Sequence, residues 1–283
     1  MKLVSYRAGG AESFGRVDGS GILDLGSRLG GGYPDLRSVL SPAMLDRIRG
    51  IEGKPDHALA EVELLPVVTN PPKIFCAGVN YLTHLQETGR PLPKNPMIFT
   101  RFANSQVGAE QPMLRPPESE QFDYEGELAV VIGTGGRRIP KARAFEHVAG
   151  YSCYNDGTLR DWQRHTVQFI PGKNFAHTGA FGPWLVTADE LTDPAAQTLT
   201  TRLNGEVMQH APISDLMFDI PALIEYCSTF SELVQGDVIV TGTTGGVGAF
   251  RTPPVWMKAG DTVEVEISGI GILRNPIRDE VVA

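Results

Sequence analysis

The chain has 283 residues, of which 41% are hydrophobic, and it carries 25 Lys and Arg against 33 Asp and Glu. This length and hydrophobic fraction suffice for the core of one large domain, alone or with a small second unit. The formal net charge of −8 argues against nucleic acid as a partner, since phosphate binding needs clustered Lys and Arg.

Two further features bear on location. No apolar run approaches the ~20 residues of a membrane span, and the N-terminal segment has no apolar signal core. Cys76, Cys153 and Cys227 lie far apart without a C-x-x-C pair, which excludes a zinc ribbon and favours buried thiols in a reducing compartment. The sequence therefore predicts a cytoplasmic protein that does not contact membranes.

The N-terminal part of the chain is predicted to be a small β-rich domain. Its first 40 residues contain three short strand-like segments, and residues 33–60 follow with a weak helical pattern. Pro71 and Pro72 then favour an extended joint, because proline has no amide N–H to donate to a sheet. We therefore predict a small domain over residues 1–70 and a main domain over residues 71–283.

The main domain is predicted to be rich in β-strands. Asn204-Gly205 separates two alternating segments and is a strong signal for a hairpin turn. Helical patterns are restricted to residues 142–147 and to residues 219–230, with Pro221 near the start of the second. Since the strands do not alternate with long helices, we expect a β-rich α/β roll or sandwich and not a Rossmann fold or TIM barrel. The strand candidates are "KIFCAGV", "MIFTRF", "GELAVVIG", "VAGYSCYND", "GPWLVT", "LTTRLNGEVMQ", "DVIVTG" and "DTVEVEISGIGILRNPI".

Acidic residues at two strand ends suggest a metal site. Glu125 and Glu127 lie two residues apart at the start of a predicted strand, so their side chains share one face. Paired carboxylates repel each other, and a hard cation such as Mg²⁺, Mn²⁺ or Ca²⁺ removes that repulsion. Asp156 ends another apolar strand and is a candidate third ligand. A solvated strand face for the glutamates, and a turn cap for Asp156, remain the alternatives.

Other polar residues have spacings that suit catalysis. His84 and Glu87 are three residues apart on a short helical turn, where a carboxylate can orient an imidazole that acts as a base. Arg160 and Gln163 have the same spacing after Asp156. Each of these residues also has a structural or surface interpretation from spacing alone. The same holds for Lys173, while His165, His177 and His210 are expected at the surface.

The glycine-rich segment over residues 241–248, "TGTTGGVG", is not a P-loop. It lacks the Gly-Lys-Ser/Thr ending, and the following "AFRTPP" breaks a helix. We expect a tight turn that brings Gly242 and Thr243 close to a ligand carboxylate.

Taken in order, these segments resemble the fumarylacetoacetate hydrolase superfamily from Lys73 to the C-terminus. The similarity is carried by five motifs: "GVNYLTHLQE" (78–87), "YEGEL" (124–128), "NDGTLRDWQ" (155–163), "GKNF" (172–175) and "TGTTGGVG" (241–248). The chain departs from the family pattern at Arg101, where many relatives carry Lys, and at Thr244, where Pro is common.

The resemblance implies a fold, an activity and a set of site residues. The implied fold is a mixed β-sandwich roll of the α/β, β-rich class, with a small N-terminal domain, in a homodimer. The implied activity is metal-dependent hydrolysis of a C–C bond in a small 2,4-dioxo acid of the acylpyruvate type, which releases pyruvate and a carboxylic acid. Decarboxylation, isomerisation and dehydration or lyase chemistry on a 2-oxo acid are alternatives on the same site, and a non-catalytic metal-dependent binding protein is a more distant one.

The roles implied by the resemblance divide into three groups. The metal, Mg²⁺ or else Mn²⁺ or Ca²⁺, is bound by Glu125, Glu127 and Asp156. The catalytic residues are His84, Glu87, Lys173 and Gln163, and the substrate-binding residues are Tyr81, Arg101, Arg160, Gly242 and Thr243. We also expect Leu82–Asn95 to form a mobile lid, because the segment is rich in helix breakers and poor in apolar anchors.

Overall fold

The computed structural model describes residues 1–282, and β-strands dominate it. The strands are β1 (Lys2–Ala8), β2 (Ala11–Asp18), β3 (Gly21–Asp24), β4 (His57–Ala58), β5 (Glu63–Leu64), β6 (Ile74–Gly78), β7 (Met97–Arg101), β8 (Gln106–Val107), β9 (Met113–Arg115), β10 (Phe122–Asp123), β11 (Gly126–Ile132), β12 (Val148–Asn155), β13 (Thr158–Leu159), β14 (Gly179–Thr187), β15 (Thr198–Leu203), β16 (Glu206–Pro212), β17 (Val238–Val240), β18 (Thr262–Ile267) and β19 (Gly271–Asp279). The α-helices are α1 (Leu25–Leu29), α2 (Pro42–Arg49), α3 (Leu82–Thr88), α4 (Arg160–Gln163), α5 (Ile170–Lys173) and α6 (Ile220–Phe230).

Two sheets pack against each other around the main core. The larger has 12 strands in the order β4-β3-β2-β1-β14-β12-β11-β17-β6-β7, with β5 added to β1 and β8 added to β14. The smaller has five, in the order β16-β15-β18-β19-β9, and β10 and β13 form a separate pair. Apolar side chains from β11, β12 and β14 meet those of β15, β18 and β19 in the main core cluster. The predicted α/β, β-rich architecture is confirmed.

Local sequence signals account for several elements. Asn204 and Gly205 form the hairpin turn between β15 and β16 with φ values of 53° and 83°, the left-handed region that this turn requires. The strand "TVEVEI" alternates partly exposed and buried side chains, as its sequence predicts. Helix α6 begins at its Asp219 cap, which accepts a hydrogen bond from the Ala222 amide, with a proline in the first turn.

Two helical expectations are met only in part. Within residues 33–60, helix α2 covers Pro42–Arg49 and a 3-10 turn covers Leu36–Val39. The helix is capped at Gly50, and the glycine and proline that follow at 53 and 55 prevent it from continuing. Residues 141–147 form a 3-10 helix and not an α-helix. No described helix is long and apolar enough to cross a membrane.

The N-terminal residues are hydrogen bonded into the large sheet. Strand β1 pairs with β14 through Lys2↔Val186 and Leu3↔Leu185, and β2, β3 and β4 extend the sheet from there. Pro71 and Pro72 mark the point where the chain leaves this edge and enters β6. The division into domains at residue 70 stays a prediction.

The strand directions bring four chain segments to one end of the large sheet. Strand β11 is antiparallel to both β12 and β17, and β17 is parallel to β6. The start of β11 therefore lies beside the ends of β12, β17 and β6. The motifs containing Glu125, Asp156, Gly242 and His84 all occur at these strand ends, so the topology alone brings them together.

Candidate active site

A cavity of about 750 Å³ opens at this end of the sheet. Buried charged side chains line its bottom or, for Asp156, contact those that do, and we call this set the floor: Glu125, Glu127, Asp156, Arg160 and Lys173. The outer wall is formed by exposed or half-buried residues, and we call this set the rim: Thr88, Arg90 and residues 164–169. His84, Phe99, Gln163, Thr243 and Phe250 line the cavity between the two.

Three floor carboxylates form a compact cluster. One oxygen from each of Glu125, Glu127 and Asp156 lies within 4.8 Å of the others, and all three residues are buried. Their backbones are connected, because the Asp156 amide donates to the Glu125 carbonyl at 2.8 Å. The Glu125 amide in turn donates to the side-chain oxygen of Asn155 at 3.1 Å. The predicted metal-ligand set is thus one rigid group of oxygen atoms.

Two basic side chains compensate part of this charge from the cavity side. Lys173 Nζ lies 2.5 Å from Glu125 Oε2 and 2.7 Å from Asp156 Oδ2. Arg160 Nε donates to Asp123 Oδ2 at 2.8 Å. Its Nη2 lies 2.6 Å from Glu125 Oε1 but without hydrogen-bond geometry, so this contact is electrostatic.

Arg101, which does not line the cavity, neutralises the charge of Asp156. Its Nη1 donates to Asp156 Oδ1 at 2.5 Å and to the Gly157 carbonyl at 2.8 Å. The remaining donors reach Thr178 Oγ1 at 3.0 Å and Ser105 Oγ at 3.2 Å. The guanidinium is fully buried and holds Asp156 in place.

The pKa values of the floor residues show that neighbouring cations do not neutralise the carboxylates equally. Burial raises the pKa of the Glu127 carboxyl well above its usual range, and the charges of Asp156 and Glu125 raise it further. Burial acts in the same direction on Glu125, but Arg160 and Lys173 outweigh it and lower the pKa of that carboxyl to about 2. Burial opposes the charged form of Lys173, yet Asp156 and Glu125 raise the pKa of its ammonium above the ordinary value.

The donor set fits a hard divalent cation. Four buried carboxylates, those of the cluster and Asp123, face the three buried cations Arg101, Arg160 and Lys173. Among the described residues, the Glu127 carboxylate accepts one hydrogen bond, from the Gly242 amide at 2.5 Å. An all-oxygen site with surplus negative charge suits Mg²⁺, Mn²⁺ or Ca²⁺.

His84 is held beside the floor by Glu87. Both lie on α3, and His84 Nδ1 is 3.1 Å from Glu87 Oε2. The other oxygen of Glu87 accepts a hydrogen bond from the Gly246 amide, which ties α3 to the glycine-rich turn. His84 is buried yet lines the cavity. The predicted pair is therefore formed, and Nε2 is the ring nitrogen left for a ligand.

The structure separates the predicted substrate-binding residues into two groups. Arg160 and Thr243 line the cavity, as does the predicted catalytic residue Gln163. Tyr81 and Arg101 are buried outside the lining, and the Gly242 amide is directed to Glu127. None of these last three lines the cavity in the part of the chain that the structure describes, and the substrate-binding role stays a prediction for all five residues.

Sequence reasoning missed residues 164–169 of the rim, and it placed Arg90 only within the expected lid. Arg90, Arg164 and Phe169 line the cavity, as does Phe99. A signal was available, since residues 164–169 connect two site motifs, "RDWQ" and "GKNF", and so must pass close to the site. As expected, His165, His177 and His210 are exposed, and all three cysteines are free and buried.

The family model for the fumarylacetoacetate (FAA) hydrolase C-terminal domain matches residues 73–278. The chain belongs to the fumarylacetoacetate hydrolase family. This is a family of enzymes, and the match confirms the resemblance seen in the sequence motifs. A fumarylacetoacetate hydrolase from Exiguobacterium antarcticum superposes with a TM-score of 0.85 at 35% identity, over 99% of this chain and 100% of that chain. The predicted family fold is therefore confirmed.

Two further members differ in their named reactions. Oxaloacetate tautomerase fahd2, mitochondrial, of Xenopus laevis is 38% identical over 287 residues, which cover 98% of this chain and 90% of the relative. The structure of maleylpyruvate hydrolase from Sphingobium sp. SYK-6, in complex with manganese(II) and pyruvate, has a TM-score of 0.80 at 27% identity, over 99% of this chain and 100% of that chain. The family thus includes both an isomerising and a hydrolytic enzyme.

The expected cytoplasmic location is wrong by the same comparison. The Xenopus relative is named as a mitochondrial protein, and it matches almost the whole of this chain. Few, unpaired cysteines are typical of a reducing compartment in general and do not distinguish the cytoplasm from the interior of an organelle.

Proposed function

We propose that the protein is a divalent-metal-dependent tautomerase that interconverts the keto and enol forms of a small 2-oxo acid of the oxaloacetate type. The observation that carries this proposal is the state of the titratable groups lining the cavity. Glu125, Arg160 and Lys173 are committed to ion pairs, and Glu127 belongs to the metal-ligand set. His84 remains as the imidazole of the lining, with Nδ1 engaged by Glu87 and Nε2 left to accept a proton from a ligand.

One proton-transfer group is sufficient for tautomerisation. In the keto form a C–H bond next to the 2-oxo group breaks, and the proton passes to His84 Nε2. The bonding electron pair becomes the C=C bond of the enol, and the carbonyl π pair moves to the oxygen. His84 then returns the proton to that oxygen, so no other reactant enters or leaves. Glu87 holds the ring in place throughout, since it engages Nδ1.

The floor would stabilise the charge that develops on the 2-oxo oxygen. Glu125, Glu127 and Asp156 would hold a divalent cation, which would supply Lewis-acid polarisation of the carbonyl. Lys173 keeps its proton, since its pKa is raised, and places a positive charge at the same point. Thr243 is fixed by its own hydrogen bond to the Gly126 carbonyl at 3.0 Å and contributes a rigid polar wall.

The full-length similarity to an oxaloacetate tautomerase supports this reaction over the others considered for the site. Hydrolysis of a C–C bond is a second candidate, and Gln163 favours it. Its Oε1 accepts from Arg160 at 3.1 Å, which leaves the amide Nε2 free to donate to an oxyanion alongside Lys173. Hydrolysis would also need a water molecule positioned between His84 and the substrate.

Two assays separate these reactions. Enolic oxaloacetate is dissolved and the decay of its ultraviolet absorbance is followed with the protein and Mg²⁺ or Mn²⁺. The expected result is faster equilibration without pyruvate formation. Release of pyruvate from acetylpyruvate, combined with no acceleration of oxaloacetate tautomerisation, would establish the hydrolase and overturn the proposal.

A further inference from the structure

The cavity contains a second centre of positive charge at its rim. Arg90 follows α3 and Arg164 follows α4, and both side chains line the cavity that the floor carboxylates close at the bottom. No carboxylate at the rim opposes them, since the acidic residues of the lining are Glu125 and Glu127. The outer half of the cavity is therefore cationic in a chain whose net charge is −8.

The rim arginines differ from the other cations of the cavity in their contacts with carboxylates. Arg160 and Lys173 each contact buried carboxylates. Across residues 1–282, neither Arg90 nor Arg164 forms an ion pair. Arg90 contacts its surroundings weakly, with Met97 Sδ at 3.8 Å and the ring of Phe169 at 5.7 Å.

An aromatic wall connects the two charged ends. Lys173 Nζ lies 5.0 Å from the ring centroid of Phe99, which is 5.7 Å from that of Phe169 in an edge-to-face contact. The guanidinium of Arg90 lies over Phe169 at the other end of the pair. A carbon chain lying against these rings would run from the floor toward the rim.

We propose that Arg90 and Arg164 bind the second carboxylate of a dicarboxylic 2-oxo acid, and so restrict the substrate to this class. The proposal rests on the proposed function for the placement of the 2-oxo end at the floor. A carboxylate is the complement of two uncommitted guanidinium groups, which can each donate charge-assisted hydrogen bonds to it. The aromatic wall excludes water from one side of the pair and strengthens the attraction relative to an open surface.

Binding of two matched ligands tests the assignment. Oxaloacetate and 2-oxobutanoate share a four-carbon 2-oxo acid skeleton and differ in having a carboxylate or a methyl group at the far end. Their dissociation constants are measured by calorimetry with Mn²⁺ present, for the wild-type protein and for Arg90→Gln and Arg164→Gln. We expect each substitution to weaken oxaloacetate binding about tenfold, since these exposed pairs are partly screened by water, and to leave 2-oxobutanoate unchanged.

Arg47→Gln is the matched control. Arg47 is an exposed arginine stacked over Tyr33 at 5.8 Å, outside the cavity, so its loss changes the net charge equally and removes a similar contact. Its oxaloacetate affinity should equal that of the wild type. Raising the salt concentration should weaken oxaloacetate binding more than 2-oxobutanoate binding in the wild type, and this difference should shrink in both rim variants.

The outcomes separate this proposal from the proposed function. Equal affinity of the wild type for the two ligands, or an unchanged preference in both rim variants, overturns the rim assignment even where tautomerase activity is present. A preference for oxaloacetate that both rim variants lose supports the assignment even where the tautomerase assay is negative, and the reaction proposal alone then fails.

Discussion

The floor and the rim of the cavity are built in opposite ways. Each charged side chain of the floor is buried and held by other charged or polar groups, and Arg101 holds Asp156 from below. The rim lies on two connecting segments after short helices, and Arg90 and Arg164 are exposed. The floor carboxylates lie at strand ends of the large sheet, and Arg160 and Lys173 lie on the short helices α4 and α5. The rim lies mostly on the segments that follow α3 and α4.

We infer from this difference that the floor serves the reaction and that the rim determines which substrate is bound. Buried charges are costly unless they are paired, so we expect the floor to tolerate few substitutions. In the proposed function its arrangement would serve any reaction that develops charge on a 2-oxo oxygen. Exposed arginines cost little and can be exchanged without disturbing the sheet. We therefore expect changes at the floor to abolish turnover, and changes at the rim to alter which substrates are turned over.

The largest effect is expected at the junction of the two regions. His84→Ala removes the proposed proton-transfer group and should lower kcat by roughly 10²–10⁴ on oxaloacetate tautomerisation. Calorimetric Mn²⁺ affinity should be unchanged, because the imidazole contacts Glu87 and not the carboxylate cluster. His210→Ala, an exposed histidine bonded to Thr200, is the control. A wild-type kcat in the His84 variant would show that another group transfers the proton.

A change within the floor should affect metal binding and activity together. Glu127→Ala leaves two of the three cluster carboxylates, and we expect Mn²⁺ affinity to fall more than ~100-fold, since even partners outside the ligand set cost about 10–100-fold. Exhaustive treatment of the wild type with EDTA should abolish activity, and added Mg²⁺ or Mn²⁺ should restore it. Full activity of either preparation without metal would contradict the role of the cluster.

A smaller effect is expected at Arg101, which contacts the floor residue Asp156 and does not line the cavity. Arg101→Lys keeps the positive charge but cannot reproduce the separate contacts to Ser105, Asp156 and Thr178. Because Asp156 would be less firmly oriented, Mn²⁺ affinity should fall by about tenfold, the lower end for an outer partner. If metal affinity is unchanged while the KM for oxaloacetate rises, Arg101 acts on the substrate, as the resemblance to the family implies.

The same contrast explains what the sequence could predict. Glu125 and Glu127 are placed by the alternation of a single strand, and the turn at Asn204 by two adjacent residues, so both follow from local rules. The position of Arg101 depends on Asp156 and Thr178, which lie 55 and 77 residues further along the chain. The sequence of a strand shows which face of the sheet a side chain lies on. It does not show which distant residues that side chain will contact.

Residues 164–169 of the rim escaped prediction for a related reason. Residues 164–169 have no periodic pattern, and their contact with the cavity follows from the motifs on either side of them. The weak pattern over residues 33–60 fails differently, because glycine and proline end the helix at a point that the apolar spacing does not reveal. The position of the site can be predicted from the order of the motifs. The ends of the helices must be predicted from local glycine and proline residues.

The smallest expected effect concerns the predicted lid at Leu82–Asn95, which the structure divides in two. Helix α3 is fixed to the glycine-rich turn, because Thr83 Oγ1 accepts from the Gly245 amide at 3.1 Å and lies 3.2 Å from Thr244 Oγ1. Beyond Gly89, whose φ of 63° ends the helix, the chain is mostly exposed. The mobile part should therefore be residues 89–95, with α3 as the fixed element from which it extends.

Hydrogen exchange can locate that boundary. Without ligand, amides in residues 89–95 should exchange faster than those of α3, and oxalate with Mn²⁺ should slow them if the segment closes over the cavity. Thr83→Val removes the contacts to the turn, so exchange in α3 should rise toward that of the loop while KM changes no more than a few-fold, the size of one or two hydrogen bonds. Helix α6, which lies outside the cavity lining, provides the internal reference. Equal exchange on both sides of Gly89, unaffected by oxalate, would mean that the whole segment is as fixed as the floor, and the contrast between the two regions would then rest on charge alone.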